Sequence, residues 1–271
     1  MDDMALLLHT EGSGWSADRN AAFVRDGFFL FDRFLGRGAV RSLRIHVDAA
    51  LRRGDVADEE WVLGLHETLP ASSNWMWSLA REVSPVAAAI LGAPVALYCS
   101  QISSKSPAAS SGALRSQRVP THQDGDAGKV ITFWIALDRI DAVNGGMRFE
   151  RGGHTRGRRA LVPVRSAAEL AAAQRNARYN VFHAAGDPTF EVRLAAGGAS
   201  VHHPHLPHAS APNAHRFRQR RAIILRFSLA SDARAGGGAA ASSDGIPANR
   251  SREHRALPIS LTSPFPVTRH G

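Results

Sequence analysis

Six short runs of apolar residues between Lys129 and Leu229 limit the possible folds more than any other feature of the sequence. Each run has the length and the residue types of a β-strand, and Gly, Pro or Asn residues separate it from the next. The runs are Lys129–Leu137, Gly146–Glu150, Arg158–Val164, Phe190–Leu194, Ala199–His203 and Arg221–Leu229. One helix-like segment, Ala167–Ala177, interrupts them. Because the strands do not alternate with helices, the pattern favours an antiparallel sandwich or barrel over βαβ units.

A helical front end precedes these strands. Apolar residues recur at helical spacing in Asp18–Arg25, Ala39–Arg53 and Ser78–Leu91. The strand-like run Phe28–Phe31 lies between the first two helices, and Val95–Ile102 follows the third. A helical front end therefore leads into β structure.

We expect a single domain over residues 1–271. It would consist of a helical front end to about residue 93, a mainly β core from about residue 94 to 230, and a C-terminal tail over residues 231–271 to which no element can be assigned. Two low-complexity segments, Ser103–Gly112 and Ala233–Gly245, are predicted to be loops.

The composition is that of a folded protein with a basic surface. Hydrophobic residues make up 44% and charged residues 21% of the chain, and the formal net charge is +9. Such a charge permits binding to nucleic acid, an anionic membrane or an acidic substrate. Most of the basic residues are scattered along the sequence, however, which favours a generally basic surface over a dedicated binding patch.

A single cysteine, Cys99, limits both redox chemistry and metal binding. One thiol per chain excludes an intramolecular disulfide and any thiolate zinc cage or iron–sulfur cluster built within the chain. Met1–Arg19 lacks the basic and apolar regions of a signal peptide, and the most apolar stretch, Val86–Tyr98, is too short to span a bilayer. We therefore expect a cytoplasmic protein without membrane insertion.

His122 and Asp124 form the first chemically distinctive motif, at the end of a probable strand. In an extended chain, residues two apart project to the same side, so both side chains can approach one metal ion. An HxD triplet is also common by chance. A turn in which Asp124 caps backbone amides and His122 is partly buried would explain it as well.

A histidine-rich segment, Val201–Asn213, is the second motif. Its four histidines are His202, His203, His205 and His208. Neutral imidazole is the commonest metal ligand, and one of them could complete a 2-His-1-carboxylate set, which non-haem iron(II) prefers. A solvated histidine-rich loop is the alternative interpretation.

Arg220 and Arg221 open the apolar strand that follows. An arginine at the mouth of a β-barrel, about a dozen residues beyond a metal-binding histidine, is well placed to hold a carboxylate by two charge-assisted hydrogen bonds. A dicarboxylate cosubstrate requires this kind of recognition.

The order of these motifs resembles the phytanoyl-CoA dioxygenase family of iron(II)/2-oxoglutarate-dependent oxygenases. The resemblance extends from about Asp26 to about Phe227 and leaves the C-terminal tail uncovered. Among the four histidines, it singles out His208, because Ser210 and Pro212-Asn213 follow it. The matching segments are Asp26-Gly27-Phe28, His122-x-Asp124, Ile131–Asp138, Asn144–Arg148, His208-x-Ser210-x-Pro212-Asn213 and Arg220-Arg221-Ala222.

For the fold, the resemblance implies a mainly β protein with flanking helices and a double-stranded β-helix, or jelly-roll, core. For the metal, it implies an iron(II) centre on His122, Asp124 and His208. The retained Asp124 favours a hydroxylase over the halogenases of this broad superfamily, in which a small residue replaces the carboxylate.

For the cosubstrates, the resemblance implies 2-oxoglutarate and dioxygen. Arg220 occupies the position that binds the distal carboxylate of 2-oxoglutarate, and Arg221 could exchange roles with it. Gln101, Trp134 and Ser210 fall where the family also contacts this cosubstrate. Their alternative, structural roles are a buried amide, a core tryptophan and a turn hydroxyl.

The implied reaction is oxidation, above all hydroxylation, of a C–H bond of a small organic substrate, with decarboxylation of 2-oxoglutarate to succinate. The sequence departs from the family at Arg151-Gly152-Gly153-His154, where Pro-Gly-Ser-His is frequent, and at Gly197-Gly198, where Gly-Asp is usual. Neither position ligates metal. Two other functions would share the metal ligands: a nucleic-acid alkylation-repair oxygenase, for which no aromatic-flanked base pocket is evident, and a non-catalytic metal-binding cupin.

Overall fold

The computed structural model describes most of the chain between residues 14 and 258. The described ranges are 14–52, 61–70, 73–110, 118–124, 129–163, 182–184, 186–234 and 257–258. The predicted helix Ala167–Ala177 lies outside them, as does nearly all of the predicted loop Ala233–Gly245.

The predicted front-end helices are confirmed. They correspond to α1 (Ala17–Asp26), α2 (Arg37–Arg52) and α4 (Trp75–Leu91), while α3 (Leu65–Thr68) and α5 (Ala230–Arg234) are short helices that the sequence did not predict. Helix α4 begins three residues before its predicted start, because the Asn74 side chain caps it by accepting a hydrogen bond from the Trp77 amide at 3.1 Å. Within the described ranges, no helix is long and apolar enough to cross a membrane.

Within the part of the chain that the structure describes, the strands form two larger antiparallel sheets and one strand pair. The strands are β1 (Phe28–Phe31), β2 (Trp61–Leu63), β3 (Val95–Lys105), β4 (Val119–His122), β5 (Val130–Ala136), β6 (Met147–Phe149), β7 (Leu161–Pro163), β8 (Phe182–Ala184), β9 (Phe190–Glu191), β10 (Ala199–His202), β11 (His208–Ser210), β12 (Arg220–Leu229) and β13 (Leu257–Pro258).

The major sheet has the strand order β1-β10-β5-β12-β3-β13, with β2 also paired to β3, and the minor sheet has the order β4-β11-β6-β9. Strands β7 and β8 pair with each other. All six predicted runs contain a strand, so the mainly β class with flanking helices is confirmed. Strand β1 of the front end forms one edge of the major sheet.

The predicted loop Ser103–Gly112 is wrong at its beginning. Ser103, Ser104 and Lys105 belong to β3, where they lie opposite Ala222, Arg221 and Arg220 of β12. The small polar residues suggested a loop, but pairing with β12 satisfies their backbone groups and buries their side chains.

The two faces of the major sheet differ in what they pack against. Ile223, Leu225 and Phe227 of β12 lie in an outer core together with residues of α2 and α4 such as Leu43 and Met76. The alternation of a β-strand turns the neighbouring residues of β12 to the opposite, inner face.

A second core lies on that inner face. There Ala222 and Ile224 of β12 join Trp134 of β5 in a cluster with Phe149 of the minor sheet and Val192. The inner faces of the two sheets therefore pack together, and polar side chains near this cluster are shielded from water.

Gly197 connects the inner strands to the helical layer. Its φ of 90° lies in the left-handed region, and its carbonyl accepts hydrogen bonds from Phe34 and Leu35, both at 2.8 Å. A Cβ at this position would lie 2.7 Å from the Leu35 oxygen. Only glycine meets both requirements without strain.

We therefore expect Gly197→Ala to lower the free energy of unfolding by about 2 kcal/mol or more, because it adds left-handed strain to a backbone clash. Gly38→Ala is the matched control. It lies in α2 with open space around its Cβ position and should raise the stability by about 0.5–1 kcal/mol. Urea unfolding curves measure both, and equal effects would contradict the assignment.

Candidate metal centre

Strands β4 and β11 bring the two motifs of the sequence together. His208 is the cross-strand partner of His122, and their ring centroids are 4.0 Å apart. Asp124 lies two residues beyond His122, past the end of β4, where its amide donates to the Pro204 carbonyl at 2.9 Å. One ligand atom from each of His122, Asp124 and His208 lies within 4.8 Å of the other two. The three side chains can therefore share one metal ion.

Backbone carbonyls fix the tautomers of both imidazoles. His122 Nδ1 lies 2.8 Å from the Pro120 oxygen, and His208 Nδ1 lies 2.9 Å from the Leu206 oxygen. A carbonyl can only accept, so each Nδ1 carries the proton and each Nε2 carries the lone pair. This is the arrangement in which a histidine binds a metal through Nε2 while its other nitrogen is held by an outer partner.

Among the described residues, three side chains hold the carboxylate of Asp124, whose side chain is 1% exposed. Thr132 Oγ1 donates to Oδ2 at 2.7 Å, and His202 Nε2 donates to the same oxygen at 3.1 Å. Arg226 Nη2 donates to Oδ1 at 2.6 Å. The sequence motifs revealed none of these donors. The signal that would reveal them is the strand register, because His202 and Arg226 are both cross-strand partners of Thr132.

The protonation states suit cation binding. Burial opposes ionisation of Asp124, but the charge of Arg226 and the hydrogen bond from His202 hold the pKa of this carboxyl well below its ordinary value. Burial lowers the pKa of His122 and, together with the nearby His122, lowers that of His208 well below normal. At neutral pH the three groups are therefore one carboxylate and two neutral imidazoles, as metal ligation requires.

The remaining histidines of the motif have other positions. His202 contacts Asp124 from β10. His203 accepts a hydrogen bond at Nδ1 from the His205 amide at 3.0 Å, and its ring lies 5.1 Å from that of His154. Burial lowers the pKa of His203 to about 4. His203 and His205 thus belong to a cluster with His154, outside the candidate ligand set.

A cationic group lies elsewhere on the inner face. The Arg220 side chain is 2% exposed, its Nη1 donates to Ser103 Oγ at 2.9 Å, and its guanidinium carbon lies 5.4 Å from the Trp134 ring centroid. Its cross-strand partner Lys105 donates from Nζ to Ser210 Oγ at 2.6 Å. The structure therefore gathers Arg220, Trp134 and Ser210, and adds Lys105 and Ser103, which the sequence motifs missed.

Gln101 lies on the same face of β3 as Ser103 and is half-buried. Arg221, by contrast, has the opposite orientation on β12. Its guanidinium forms ion pairs of 2.8 Å with Asp138 and 2.7 Å with Asp48 of α2. Asp138 and Asp48 raise its pKa. Only Arg220 of the arginine pair faces the inner side.

Strand β11 joins the ligand set to the cationic group. His208 and Ser210 are two residues apart, which corresponds to about 7 Å along an extended strand. The Lys105 ammonium contacts Ser210, so a short polar ligand can reach from the three candidate metal ligands toward Arg220.

Gln123 fixes the backbone between the two candidate ligands His122 and Asp124 by side-chain hydrogen bonds. Its Nε2 donates to the Gly157 oxygen at 2.9 Å and to the His205 oxygen at 2.6 Å, while its Oε1 accepts from the Arg159 amide at 2.8 Å. These bonds hold the chain between His122 and Asp124 against two loops.

Comparison with known proteins gives one family. A model of the phytanoyl-CoA dioxygenase (PhyH) family matches residues 23–222. No curated protein matches the chain. The solved structure of SnoK, a non-haem α-ketoglutarate-dependent carbocyclase from nogalamycin biosynthesis, is 21% identical at a TM-score of 0.63 and covers 93% of this chain and 96% of its own.

Two further solved structures are similar. EvdO2 from Micromonospora carbonacea var. aurantiaca, complexed with 2-oxoglutarate, is 20% identical at a TM-score of 0.61 and covers 81% of this chain and 93% of its own. AviO1 from Streptomyces viridochromogenes Tue57 is 25% identical at a TM-score of 0.56, with coverages of 80% and 98%. At 20–21% identity, the likeness to SnoK and EvdO2 establishes a shared fold alone.

We expect His208→Ala to weaken Fe(II) or Co(II) binding by more than about 100-fold, because loss of a ligand should exceed the effect of losing an outer partner. Anaerobic competition with a chromogenic chelator measures the affinity. His205→Ala, three residues before His208 and outside the ligand set, is the control and should bind normally. If His205→Ala weakened binding and His208→Ala did not, His208 would not be a metal ligand.

Proposed function

Because the chain belongs to the phytanoyl-CoA dioxygenase family, we propose that it hydroxylates a C–H bond of a small organic substrate while 2-oxoglutarate is decarboxylated to succinate. Family membership makes it a non-haem iron dioxygenase that uses iron(II), 2-oxoglutarate and dioxygen. The observation that carries the proposal is the convergence of His122, Asp124 and His208 on one point.

The donor set fits iron(II). Two imidazole nitrogens and one carboxylate oxygen form the facial triad of non-haem iron oxygenases, and they leave coordination positions open for other ligands. When bound there, iron(II) supplies the redox chemistry that activates dioxygen. The chain's own part is to hold Asp124 ionised and both imidazoles neutral in a water-poor site. The retained carboxylate supports hydroxylation over halogenation.

The cationic group fits the distal carboxylate of 2-oxoglutarate. We assign this role to Arg220, supported by Lys105 and Ser210, because a buried guanidinium and a buried ammonium at one end of the site match a carboxylate in charge and hydrogen bonding. Trp134 lies against the Arg220 guanidinium and would form an apolar wall. Gln101 is assigned to the same pocket from its position on β3.

Anaerobic addition of Fe(II) and 2-oxoglutarate to the purified protein tests the proposal. A visible charge-transfer band should appear in the wild type and be absent in Asp124→Ala. A panel of small organic substrates, scored by succinate release in air, then identifies what is oxidised. A wild type without the band, or an undiminished band in Asp124→Ala, would refute the proposed function.

For the cosubstrate site, we expect Arg220→Gln to raise the Kd for 2-oxoglutarate by about 10- to 100-fold. Loss of a charged hydrogen bond costs roughly 1.5–3 kcal/mol, and each 1.4 kcal/mol is about tenfold in Kd. Titration of the charge-transfer band measures Kd. Arg221→Gln, which removes the neighbouring guanidinium on the opposite face, is the control and should bind 2-oxoglutarate normally. Equal losses in both variants would contradict the assignment of Arg220.

A further inference from the structure

Arg226 makes a short, charge-assisted hydrogen bond to a candidate metal ligand. Its Nη2 lies 2.6 Å from Asp124 Oδ1, and the side chains are 18% and 1% exposed. A hydrogen bond between a guanidinium and a carboxylate is shorter and about twice as strong as a neutral one. Arg226 thus contacts the group that would bind iron and lies in the layer of side chains behind it.

The donors around Asp124 are distributed unequally over its two oxygens. Oδ2 accepts hydrogen bonds from Thr132 and His202. Oδ1 accepts a hydrogen bond from Arg226 and also lies 3.8 Å from His208 Nε2. A carboxylate oxygen has two lone pairs, so Oδ1 can accept from Arg226 and still offer a lone pair to a metal. The second oxygen is occupied by its two donors.

The backbone at Asp124 is held in place, but it does not by itself set the direction of the carboxylate. Strand β4 ends at His122, and the backbone amide of Asp124 contacts Pro204 in a loop. The direction of its carboxylate is therefore set by side chains from β5, β10 and β12. Arg226 is the guanidinium among these donors, and Thr132 is its cross-strand partner.

We propose that Arg226 is a positioning residue that fixes the Asp124 carboxylate so that Oδ1 alone is presented toward His208. Asp124 then binds the metal through one oxygen and leaves coordination positions for the cosubstrates. The proposal rests on the proposed function, since it requires that His122, Asp124 and His208 bind a metal.

A purely structural role makes a different prediction. If Arg226 only neutralised a buried charge, any cation at this position would serve, and metal coordination would depend on the charge alone. Arg226→Lys keeps the charge but not the planar fork of the guanidinium, and Arg226→Met removes both. Comparing them separates positioning from neutralisation.

The test is titration of the full-length protein with Co(II), read by its visible d–d spectrum and by chelator competition. We expect Arg226→Met to weaken Co(II) binding by about 10- to 100-fold, the usual effect of removing an outer partner of a metal ligand. Its d–d spectrum should also change, because Oδ1 loses the donor that fixes its direction and the carboxylate can rotate relative to His208. Arg226→Lys should have a higher unfolding midpoint than Arg226→Met, because it keeps the positive charge beside Asp124, but it should keep the altered spectrum.

Arg221→Met is the matched control. It lies on the same strand, also forms ion pairs with carboxylates, and faces away from the site. It should lower the unfolding midpoint while leaving the Co(II) affinity and spectrum of the folded protein unchanged. Should Arg226→Met fail to fold, Arg226→Lys carries the same spectroscopic comparison.

The outcomes separate the two proposals. A wild type that binds no Co(II) refutes the proposed function and this inference with it. If the wild type binds Co(II) while Arg226→Met has the same or a higher affinity and the same spectrum, the role of Arg226 is refuted and the proposed function stands. A wild-type spectrum in Arg226→Lys would likewise refute the positioning role, because the positive charge alone would then be sufficient.

Discussion

The antiparallel pairing of β12 with β3 on one side and β5 on the other determines the rest of the structure. Because side chains alternate along a strand, this one segment supplies Ile223, Leu225 and Phe227 to the helical layer and turns Arg220 and Arg226 to the inner face. A shift of register by one residue would move the apolar residues into the site and both arginines into the hydrophobic core. Core and site therefore stabilise the same register.

Local spacing in the sequence predicted the strands and the pairing of His122 with Asp124, because a period of two is a local property. The choice of His208 among four histidines came from the family resemblance. Arg226 and Lys105 were missed because their contacts join residues 102 and 105 positions apart in sequence. Those contacts depend on the strand register, which a single sequence does not reveal.

The error at Ser103 has the same origin. Ser103, Ser104 and the small residues after them have the composition of a loop, and composition was the only local signal. Pairing with the first residues of β12 overrides it, since the backbone groups of a buried segment need partners. The extension also places Lys105 opposite Arg220 and so assembles the cationic end of the site.

Charge balance links the two ends of the site. Asp124 and Arg226 neutralise each other before any ligand binds, which allows a carboxylate with 1% exposure to remain ionised. A divalent cation at the ligand set adds two positive charges to this neutral pair, and a dicarboxylate cosubstrate cancels them. Since Arg220 and Lys105 add further positive charge, the proposed cosubstrate pocket is complementary in charge to a dianion, and a bound metal would add to that complementarity.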